Sequence, residues 1–567
     1  MLLFIADGLN LLFSKKWGTY KLKLNLREKK MRTWRQIGLA ALAVTTLSGP
    51  LQAADIVIGI RSEPSSIDPY FHNLTPNNAM LEHIFDSLNG WTPSMDKTFG
   101  RAAASWKAIN DTTWEYKIKK GITFHDGSDL TADDVIFSYE RAGNYTGGNS
   151  SFRTYTKGKT LKKIDDYTIH IVTENPYPLM PNDTTTVLIM SSDAKGTGGK
   201  NKGISAKDFN NGTAAIGSGP YKFIEWKKGD RIVLEKFSGY KGPLDQPWDK
   251  ITFKFIKSEP ARIAALLAGD VDAIDNVPTS DVEQLKKNPK ISLSSGVSNR
   301  VIYLHMDQFR DKSPFVTTKD GKPMDKNPLR NPKVRKALSM MINRKAIVER
   351  VMEGIAIPAG QLLPEGFFGR SSKLQVEKFD PKGAKKLLKE AGWGDGFGLT
   401  IHGPNDRYIN DAKICEAIGQ MFSAQGIPTK VVTMPKNVFF KRASKGAKGG
   451  LPEFSFVLVG WGSGTGEPSS PLKSLLATHD KSKGMGASNR GRHSDPRVNK
   501  VLSEALATVD DAKRGALLAK ATEIAIGENT GIIPLHYQVN TWATRKGLKY
   551  NPRADERTIG HNYTTTK

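Results

Sequence analysis

The chain has 567 residues, 38% of them hydrophobic and 25% charged, a balance that is typical of globular proteins and excludes a disordered chain. Its net charge of +26 would suit nucleic acid or an anionic membrane as a partner. The lysines are spread thinly, however, which favours a solvated basic surface and no nucleic-acid partner. The single cysteine, Cys415, excludes an internal disulfide, and its helical surroundings predict a small buried side chain.

Residues 31–53 have the layout of a secretory signal peptide. Arg32 and Arg35 form a positive region, an apolar segment rich in Ala and Leu follows, and Ala53 ends a plausible cleavage site. The apolar segment is too short to be a permanent membrane helix. This layout predicts a periplasmic protein that is released from the membrane, and we expect residues 1–30 to be an over-extended start, with a long basic region as the alternative.

The first half of the chain alternates between strand and helix patterns. Residues 56–60 form a first strand, a rigid loop with two prolines follows at 61–69, and a helix is predicted over 79–88. Further on, the segment 251–274 has the pattern of a strand, a helix and a second strand, which is the crossover unit of a parallel sheet.

The stretch 102–142 lies between those elements and has a pattern of its own. Apolar and polar side chains alternate from Thr113 onward, which predicts a strand with one buried face. His125 to Gly127 predicts a tight turn, in which the histidine stabilises the turn. Thr131, followed by two acidic residues, is the expected N-cap of an amphipathic helix.

The second half repeats the alternation. Residues 300–306 predict a further strand, and 331–351 predict a helix. An apolar strand at 454–459 runs into a glycine-rich loop, an amphipathic helix is predicted over 510–526, and 532–537 predicts a last strand.

The sequence from Trp106 to Val135, WKAINDTTWEYKIKKGITFHDGSDLTADDV, resembles the most recognisable segment of the family 5 extracellular solute-binding proteins. The phrases EPSSIDP at 63–69, IGSGPY at 216–221 and ARIAALLAGDVDAID at 261–275 agree with that resemblance. These proteins are the peptide- and nickel-type receptors of ABC importers. The resemblance implies an α/β, two-lobed periplasmic-binding-protein fold of type II and cluster C, with a hinge between the lobes.

The resemblance also implies a division of the chain. Lobe I would be discontinuous and carry an extra subdomain, and lobe II would be inserted into it, with the strand at 300–306 as the crossing into lobe II and the strand at 532–537 as the return. The predicted boundaries are 54–95, 210–302 and 538–567 for lobe I, 96–209 for the extra subdomain, and 303–537 for lobe II.

A ligand held between two lobes needs residues from both walls. The resemblance implies that Tyr70, His72 and Asn73 of lobe I face the ligand. Dipeptide receptors place an arginine and a tyrosine before a helix of lobe II, and Arg407 and Tyr408 match that place with a one-residue difference in spacing. An arginine fork suits a carboxylate because two parallel charge-assisted bonds form at once.

The glycine-rich loop is the second candidate wall of lobe II. Trp461, Gly462 and Ser463 would line it. Peptide receptors carry an aspartate here that pairs with the ligand ammonium, and this chain has Gly464 in that place. The nearest acid is Glu467. Either an acid such as Glu467 takes over the pairing, or the ligand lacks a free α-amine.

A further polar loop, with Asn489, Arg490 and Arg492, is a candidate for reaching the cleft. The sequence has no nucleophile elbow and no zinc-binding histidine pair, so we expect no catalysis, metal or cofactor. The predicted function is the periplasmic binding component of an ABC importer, a monomer that delivers peptides or peptide-like solutes to permease subunits. The alternatives are a receptor for an opine, a sugar phosphate or a metal chelate, a secreted hydrolase, and a basic chaperone or polyanion binder.

Overall fold

The structure is a computed structural model, and it describes residues 54–147, 152–196, 199–200 and 204–566. The predicted signal peptide and over-extended start lie outside the described residues. Within the described part, no helix combines the length and the apolar character that a membrane span needs.

The strands are numbered here in chain order. They are β1 Asp55–Ile60, β2 Asn89–Trp91, β3 Thr98–Gly100, β4 Ala103–Asn110, β5 Thr113–Ile118, β6 Lys159–Asp165, β7 Thr168–Thr173, β8 Lys195–Gly196, β9 Gly199–Lys200, β10 Tyr221–Lys227, β11 Arg231–Lys236, β12 Lys250–Phe255, β13 Ala273–Ile274, β14 Ile291–Met306, β15 Val316–Thr317, β16 Ala356–Pro358, β17 Gly398–Pro404, β18 Thr429–Met434, β19 Phe456–Gly462, β20 Ile532–Arg545, β21 Leu548–Tyr550 and β22 Tyr563–Thr565.

The α-helices are numbered in the same way. They are α1 Thr75–Ile84, α2 Ala132–Asn144, α3 Arg153–Thr156, α4 Met180–Asp183, α5 Ala206–Asn210, α6 Glu259–Ala268, α7 Thr279–Lys286, α8 Pro332–Met340, α9 Arg344–Ala346, α10 Pro381–Glu390, α11 Asp411–Ala424, α12 Lys436–Lys445, α13 Ser469–Pro471, α14 Pro496–Leu506 and α15 Asp511–Thr522. Short π-helical turns continue three of them, at Ile347–Val351, Leu472–Leu476 and Glu523–Glu528.

One large sheet runs through the protein in the order β10-β11-β12-β1-β13-β20-β14-β19-β17-β15, with β16 paired to β20 and β18 to β17. β1 pairs in parallel with both β12 and β13, and α6 connects the latter two strands. The predicted crossover unit is therefore confirmed. The carboxyl ends of β1 and β13 lie at the same edge, which is where such sheets usually hold ligands.

Two long antiparallel strands join the two ends of the sheet. β14 pairs with β20 from Ile291 to His305, and the register shifts between Val297 and Val301. These strands contain the predicted crossing segments and are both longer than predicted. In the described part of the chain, β14 and β20 lie side by side in the middle of the sheet and connect its two halves. The irregular register between them therefore lies where a hinge is expected.

The hydrophobic residues form separate cores on the two sides of β14 and β20. The first core gathers Ile58 of β1, the four-stranded sheet β4-β5-β7-β6, and Trp542 near the end of β20. The second and third cores pack on opposite faces of β14, around Ile302 and Val301 respectively. We call the part around the first core lobe I and the part around the other two lobe II.

The stretch 102–142 folds largely as predicted. β5 buries Trp114, Tyr116 and Ile118 on one face, and α2 begins with a capping box made by Thr131 and Asp134. His125 ties its turn to a neighbouring loop, since its Nε2 lies 3.0 Å from the carbonyl oxygen of Gly219. This segment thus builds the core of lobe I.

Two predicted helices differ in the structure. The first begins at Thr75 rather than near residue 79, because Pro76 stands in its first turn, where a proline is compatible with a helix. The helix predicted over 331–351 is interrupted after Met340, and Asn343 caps a new short helix at Arg344–Ala346.

Candidate functional site

Loops from both lobes meet around a cavity of about 350 Å³ at the carboxyl edge of the sheet. Lobe I contributes Arg61 after β1 and the segment 276–280 after β13, and lobe II contributes the loop after β17. The lining residues are Arg61, Glu259, Asn276, Val277, Pro278, Thr279, Ser280, Asn405, Asp406, Tyr408, Ile409, Asn410, Asp411, Ala412, Lys413, Asn540 and Thr541. Tyr408 is thus a predicted site residue that lines a cavity between the lobes.

The loop that carries Arg407 and Tyr408 is fixed by its own helix. Both backbone N–H groups donate to Oδ2 of Asp411, at 3.0 Å each, and Asp411 is the first residue of α11. The Arg407 guanidinium lies 5.1 Å from the centroid of the Tyr408 ring, and the Tyr408 hydroxyl donates to the carbonyl of Gly460. This geometry holds an exposed arginine beside the cavity.

The charges around Arg407 favour an anionic partner. Its guanidinium forms no ion pair with any carboxylate of the described residues. Partial burial lowers the pKa of Arg407, and the positive charges of Arg300 and Arg61 lower it further, while Glu556 opposes the shift. A bound anion would relieve both the desolvation and the repulsion.

The carboxylate of Glu556, whose charge opposes this shift, already has partners of its own. It is held by Arg300 of β14 in a bidentate pair at 2.7 and 2.9 Å, and it accepts further hydrogen bonds from Ser298 and Gln538. Burial raises the pKa of Glu556, but Arg300 outweighs it and the net pKa is lowered. Glu556 therefore links both hinge strands through its hydrogen bonds. Its backbone is left-handed (φ 64°), a strained conformation that the surrounding contacts must stabilise.

The glycine-rich loop 460–467 runs between the lobes. Asn182 of lobe I donates to the carbonyl of Thr465 at 2.7 Å. The carbonyl of Ser463 accepts from Asn299 of β14 at 2.8 Å, and the Ser463 hydroxyl donates within the loop to the carbonyl of Glu467. These bonds make Ser463 a buried support of the loop rather than a group that faces open space.

Three other predicted positions of this loop differ in accessibility. Trp461 and Gly462 are half-buried, and the Trp461 indole N–H has no hydrogen-bond partner within the described part of the chain. Gly464 is exposed, and a Cβ added there would meet no atom within 4 Å. The loop thus has a buried indole donor that is unpaired within the described residues, and open space at Gly464, where peptide receptors carry their acid.

Glu467 does not occupy that empty place. Its carboxylate pairs with Arg514 of α15, and the two side chains are 3% and 7% exposed. Burial raises the pKa of Glu467, and the Arg514 guanidinium opposes that shift. Arg514 also packs over the ring of Phe368 at 4.5 Å. Because its charge is balanced inside lobe II, Glu467 is poorly placed to pair with a ligand ammonium.

The three lobe I candidates have different surroundings. Tyr70 is fully buried, and its hydroxyl donates to the carbonyl of Leu188 at 2.5 Å. His72 and Asn73 are half-buried, with His72 near the Ser65 hydroxyl at 3.3 Å and Asn73 accepting from Asn78 at 2.7 Å. None of the three lines the cavity beside Arg407.

The polar loop near residue 490 is mainly self-contained. Asn489 is fully buried and bonds to the backbone of Ala477 and of His493, so its amide has no free donor. Arg490 lies 5.4 Å from the ring centroid of Phe440, and its Nε has no hydrogen-bond partner within the described residues. Arg492 adopts a left-handed backbone and donates to the carbonyl of Asn489.

A larger cavity of about 850 Å³ lies along the hinge strands, beside Val297 and Tyr537. None of the predicted site residues lines it. Among the residues that the structure describes, no group of three or more His, Cys, Asp and Glu side chains is placed to hold a metal ion.

The arginines around the cavity were only partly predictable. Arg61, Arg300 and Glu556 were not singled out from the sequence. Arg61 carried a usable signal, because it follows a predicted strand directly and ligand loops lie at strand ends. Glu556 carried none, since its position opposite Arg300 depends on a contact across 256 residues.

A sheet shared by two lobes, two connecting hinge strands and strand-end loops from both sides of one cavity define a two-lobed ligand receptor of the type II periplasmic-binding class. The model for bacterial extracellular solute-binding proteins, family 5 (middle region), matches residues 98–483, and the chain belongs to this family, which serves ABC importers at the outer face of the cell membrane.

Individual relatives agree with that membership. A glutathione-binding protein, GsiB, of Pectobacterium atrosepticum is 28% identical over 497 residues, which cover 86% of this chain and 90% of the relative. HbpA2 of Haemophilus parasuis shares the fold with a TM-score of 0.75 at 22% identity, covering 90% of this chain and all of that structure. A DppA structure from Helicobacter pylori with the peptide STSA has a TM-score of 0.68 at 22% identity, covering 91% and 99%.

Proposed function

We propose that this protein captures peptides or peptide-like solutes in the cleft between its lobes and delivers them, as a periplasmic monomer, to the permease subunits of an ABC importer. The observation that carries the proposal is the exposed guanidinium of Arg407, which has no carboxylate partner in the described residues and stands beside a cavity formed by both lobes. The names of the relatives, which refer to glutathione and to a peptide, agree with such a ligand.

We further propose that the protein is secreted through a signal peptide and is divided into two lobes. Residues 31–53 would act as a cleavable signal peptide. Residues 54–95, 210–302 and 538–567 would form lobe I, with 96–209 as its extra subdomain, and 303–537 would form lobe II. The receptor would bind and release its solute without changing it chemically.

Replacing Arg407 by alanine is expected to weaken peptide binding about 10- to 100-fold, because hydrogen bonds to a charged group contribute about 1.5 to 3 kcal/mol. Isothermal titration calorimetry with glutathione and a panel of di- to hexapeptides measures the loss. The matched control is Lys413→Ala, which removes a positive charge from the lining of the neighbouring cavity. Equal affinities of the two variants would place the ligand elsewhere.

Gly464→Asp is expected to strengthen the binding of peptides with a free α-amine about tenfold, since it restores a carboxylate where peptide receptors carry one and the space is open. N-acetylated versions of the same peptides should bind the variant and the wild type alike. The measurement is the ratio of the two affinities in each protein. A lower affinity for the free-amine peptides would show that the ligand ammonium does not reach this loop.

A thermal-shift screen of peptides, opines and sugar phosphates separates the ligand classes, because a ligand that binds only the folded state raises the melting temperature with its concentration. We expect the largest shifts with peptides. A shift with an opine or a sugar phosphate alone would keep the fold and overturn the proposed ligand.

A further inference from the structure

We propose that Arg61 is a second ligand-binding residue, which grips an anionic group of the ligand from lobe I while Arg407 grips it from lobe II. The ligand end that enters this cavity would therefore be its oxyanion end, a carboxylate or a chemically similar group, and the anion would bridge the lobes. The inference rests on the proposed function, which it extends by naming the residue and the charge that favour closure.

The position of Arg61 is set by the central strand of lobe I. Arg61 directly follows β1, and its backbone N–H donates to Oδ1 of Asp275 at 2.9 Å. Asp275 is itself buried beside Arg262, whose Nε lies 3.7 Å from Oδ1. The acid nearest to the Arg61 backbone is thus occupied, and the Arg61 side chain projects from a fixed point at the ligand edge of the sheet.

The Arg61 side chain is exposed, lines the cavity and makes no ion pair with a carboxylate of the described residues. It is close enough to Arg407 for its charge to disfavour the charged form of that residue. Arg61 lines the cavity from lobe I, and Arg407 stands in the lobe II loop between the lining residues Asp406 and Tyr408. Within the described residues neither guanidinium has an ion-pair partner, and an anion between them would supply one to both.

The acids around the cavity do not cancel these charges. Glu556 is held by Arg300, Asp406 pairs with Lys436 at 3.4 Å, and Asp411 accepts hydrogen bonds from backbone N–H groups. Glu259 is exposed in the first turn of α6, where the helix dipole favours its charge. Each of these acids thus has a stabilising partner of its own, whereas the guanidiniums of Arg61 and Arg407 form no ion pair within the described residues.

The two unpaired arginines give the ligand a means of controlling closure of the lobes. Without an anion, bringing the lobes together forces Arg61 towards Arg407 and is opposed by their repulsion. An anion between them adds two attractions at shorter distances that outweigh the repulsion, so it binds the closed arrangement better than the open one. A ligand shifts a conformational equilibrium only through such a difference in affinity. A neutral ligand of the same shape would bind without this gain.

The test uses the full-length mature protein in five forms: wild type, Arg61→Gln, Arg407→Gln, the double variant Arg61→Gln/Arg407→Gln, and Lys413→Gln as a comparison that removes another positive charge from the cavity lining. The probes are glutathione, its diethyl ester and inorganic phosphate, with affinity measured by calorimetry and stabilisation by thermal shift. We expect Arg61→Gln to lower the affinity for glutathione about tenfold and to change the affinity for the ester less than about twofold. The fold-loss of affinity in the double variant should be smaller than the product of the fold-losses in the two single variants, because both arginines bind the same anionic group.

The outcomes separate this inference from the proposed function. If wild type binds glutathione or another peptide and Arg61→Gln binds it equally well, the inference is overturned and the function stands. If no peptide binds but phosphate stabilises wild type and fails to stabilise Arg61→Gln, the arginine pair is supported and the peptide ligand is overturned. If no peptide binds and phosphate stabilises neither protein, or both equally, both ideas are overturned. Unchanged circular dichroism of Arg61→Gln confirms that its fold is intact.

Discussion

Acidification from pH 7 to pH 5 is expected to lower the free energy of unfolding by about 5 kcal/mol or more, because buried neutral histidines must take up protons when the chain unfolds. Six of the ten histidines are buried. They are His83, His305, His402, His493, His536 and His561. Burial lowers the pKa of each, to about 4 for His83, His402 and His536 and to about 3 for His305.

The direction follows from proton counts. An unfolded histidine has a pKa of about 6.5, so between about pH 6.5 and pH 4 the unfolded chain binds more protons than the folded one. Stability is therefore fully present above about pH 6.5 and is lost as the pH falls through this window. Each buried histidine contributes about 1 to 2 kcal/mol to the loss at pH 5. Chemical denaturation at a series of pH values measures the slope.

His536 isolates the effect from that of the carboxylates. Both of its ring nitrogens are buried without a hydrogen-bond partner in the described residues, and burial alone lowers its pKa. His536→Leu is expected to match the wild type within about 1 kcal/mol at pH 7.5 and to be about 1 to 2 kcal/mol more stable at pH 5, since no proton must then be excluded. An equal stability difference at both pH values would show that the histidine is not the titrating group.

Much of the fold could be predicted because its signals are local. The cap at Thr131 depends on neighbours within one turn, and the structure has it. The predicted start of α1 was wrong by four residues, because Pro76 stands in the first turn, where a proline is compatible with a helix. Local sequence rules thus predict the presence of helices and strands better than the residues at which these begin and end.

The site depends on distant contacts, and the sequence contains little information about these. Glu467 looked like a free acid near the cleft, but its partner Arg514 lies 47 residues further on. Tyr70 stands in a loop of family-like sequence, and only packing against Phe152 shows that it belongs to the core. Arg407 could be predicted because the resemblance implied a binding arginine at that position. Predicting Arg61 would have required the sheet topology, which decides which strand end faces which loop.

The balance of charges connects these findings. The carboxylates Glu467 and Glu556 are each neutralised by an arginine of their own surroundings, whereas Arg61 and Arg407 are not. A cleft with compensated acids and uncompensated bases selects for the anionic end of a solute. Specificity in this receptor would then depend more on where the ligand carries negative charge than on its amino group.

Arg514→Met is expected to lower the free energy of unfolding by about 3 to 5 kcal/mol, because it leaves the buried carboxylate of Glu467 without its partner. The loss should be smaller at pH 5 than at pH 7. Without Arg514 the pKa of Glu467 would rise further above that of an unfolded glutamate, so protonation relieves part of the penalty as the pH falls. Urea denaturation at both pH values measures the two losses.

The double variant Glu467→Gln/Arg514→Met tests whether the charge or the packing of Arg514 carries this effect. Methionine can keep the contact with Phe368, and glutamine removes the stranded charge, so the double variant should recover about half of the loss or more. If it is as unstable as Arg514→Met alone, the arginine stabilises lobe II through its shape and its bond to Asp511 rather than through Glu467. In the expected case, Glu467 is a structural acid that does not take over the ammonium pairing of peptide receptors.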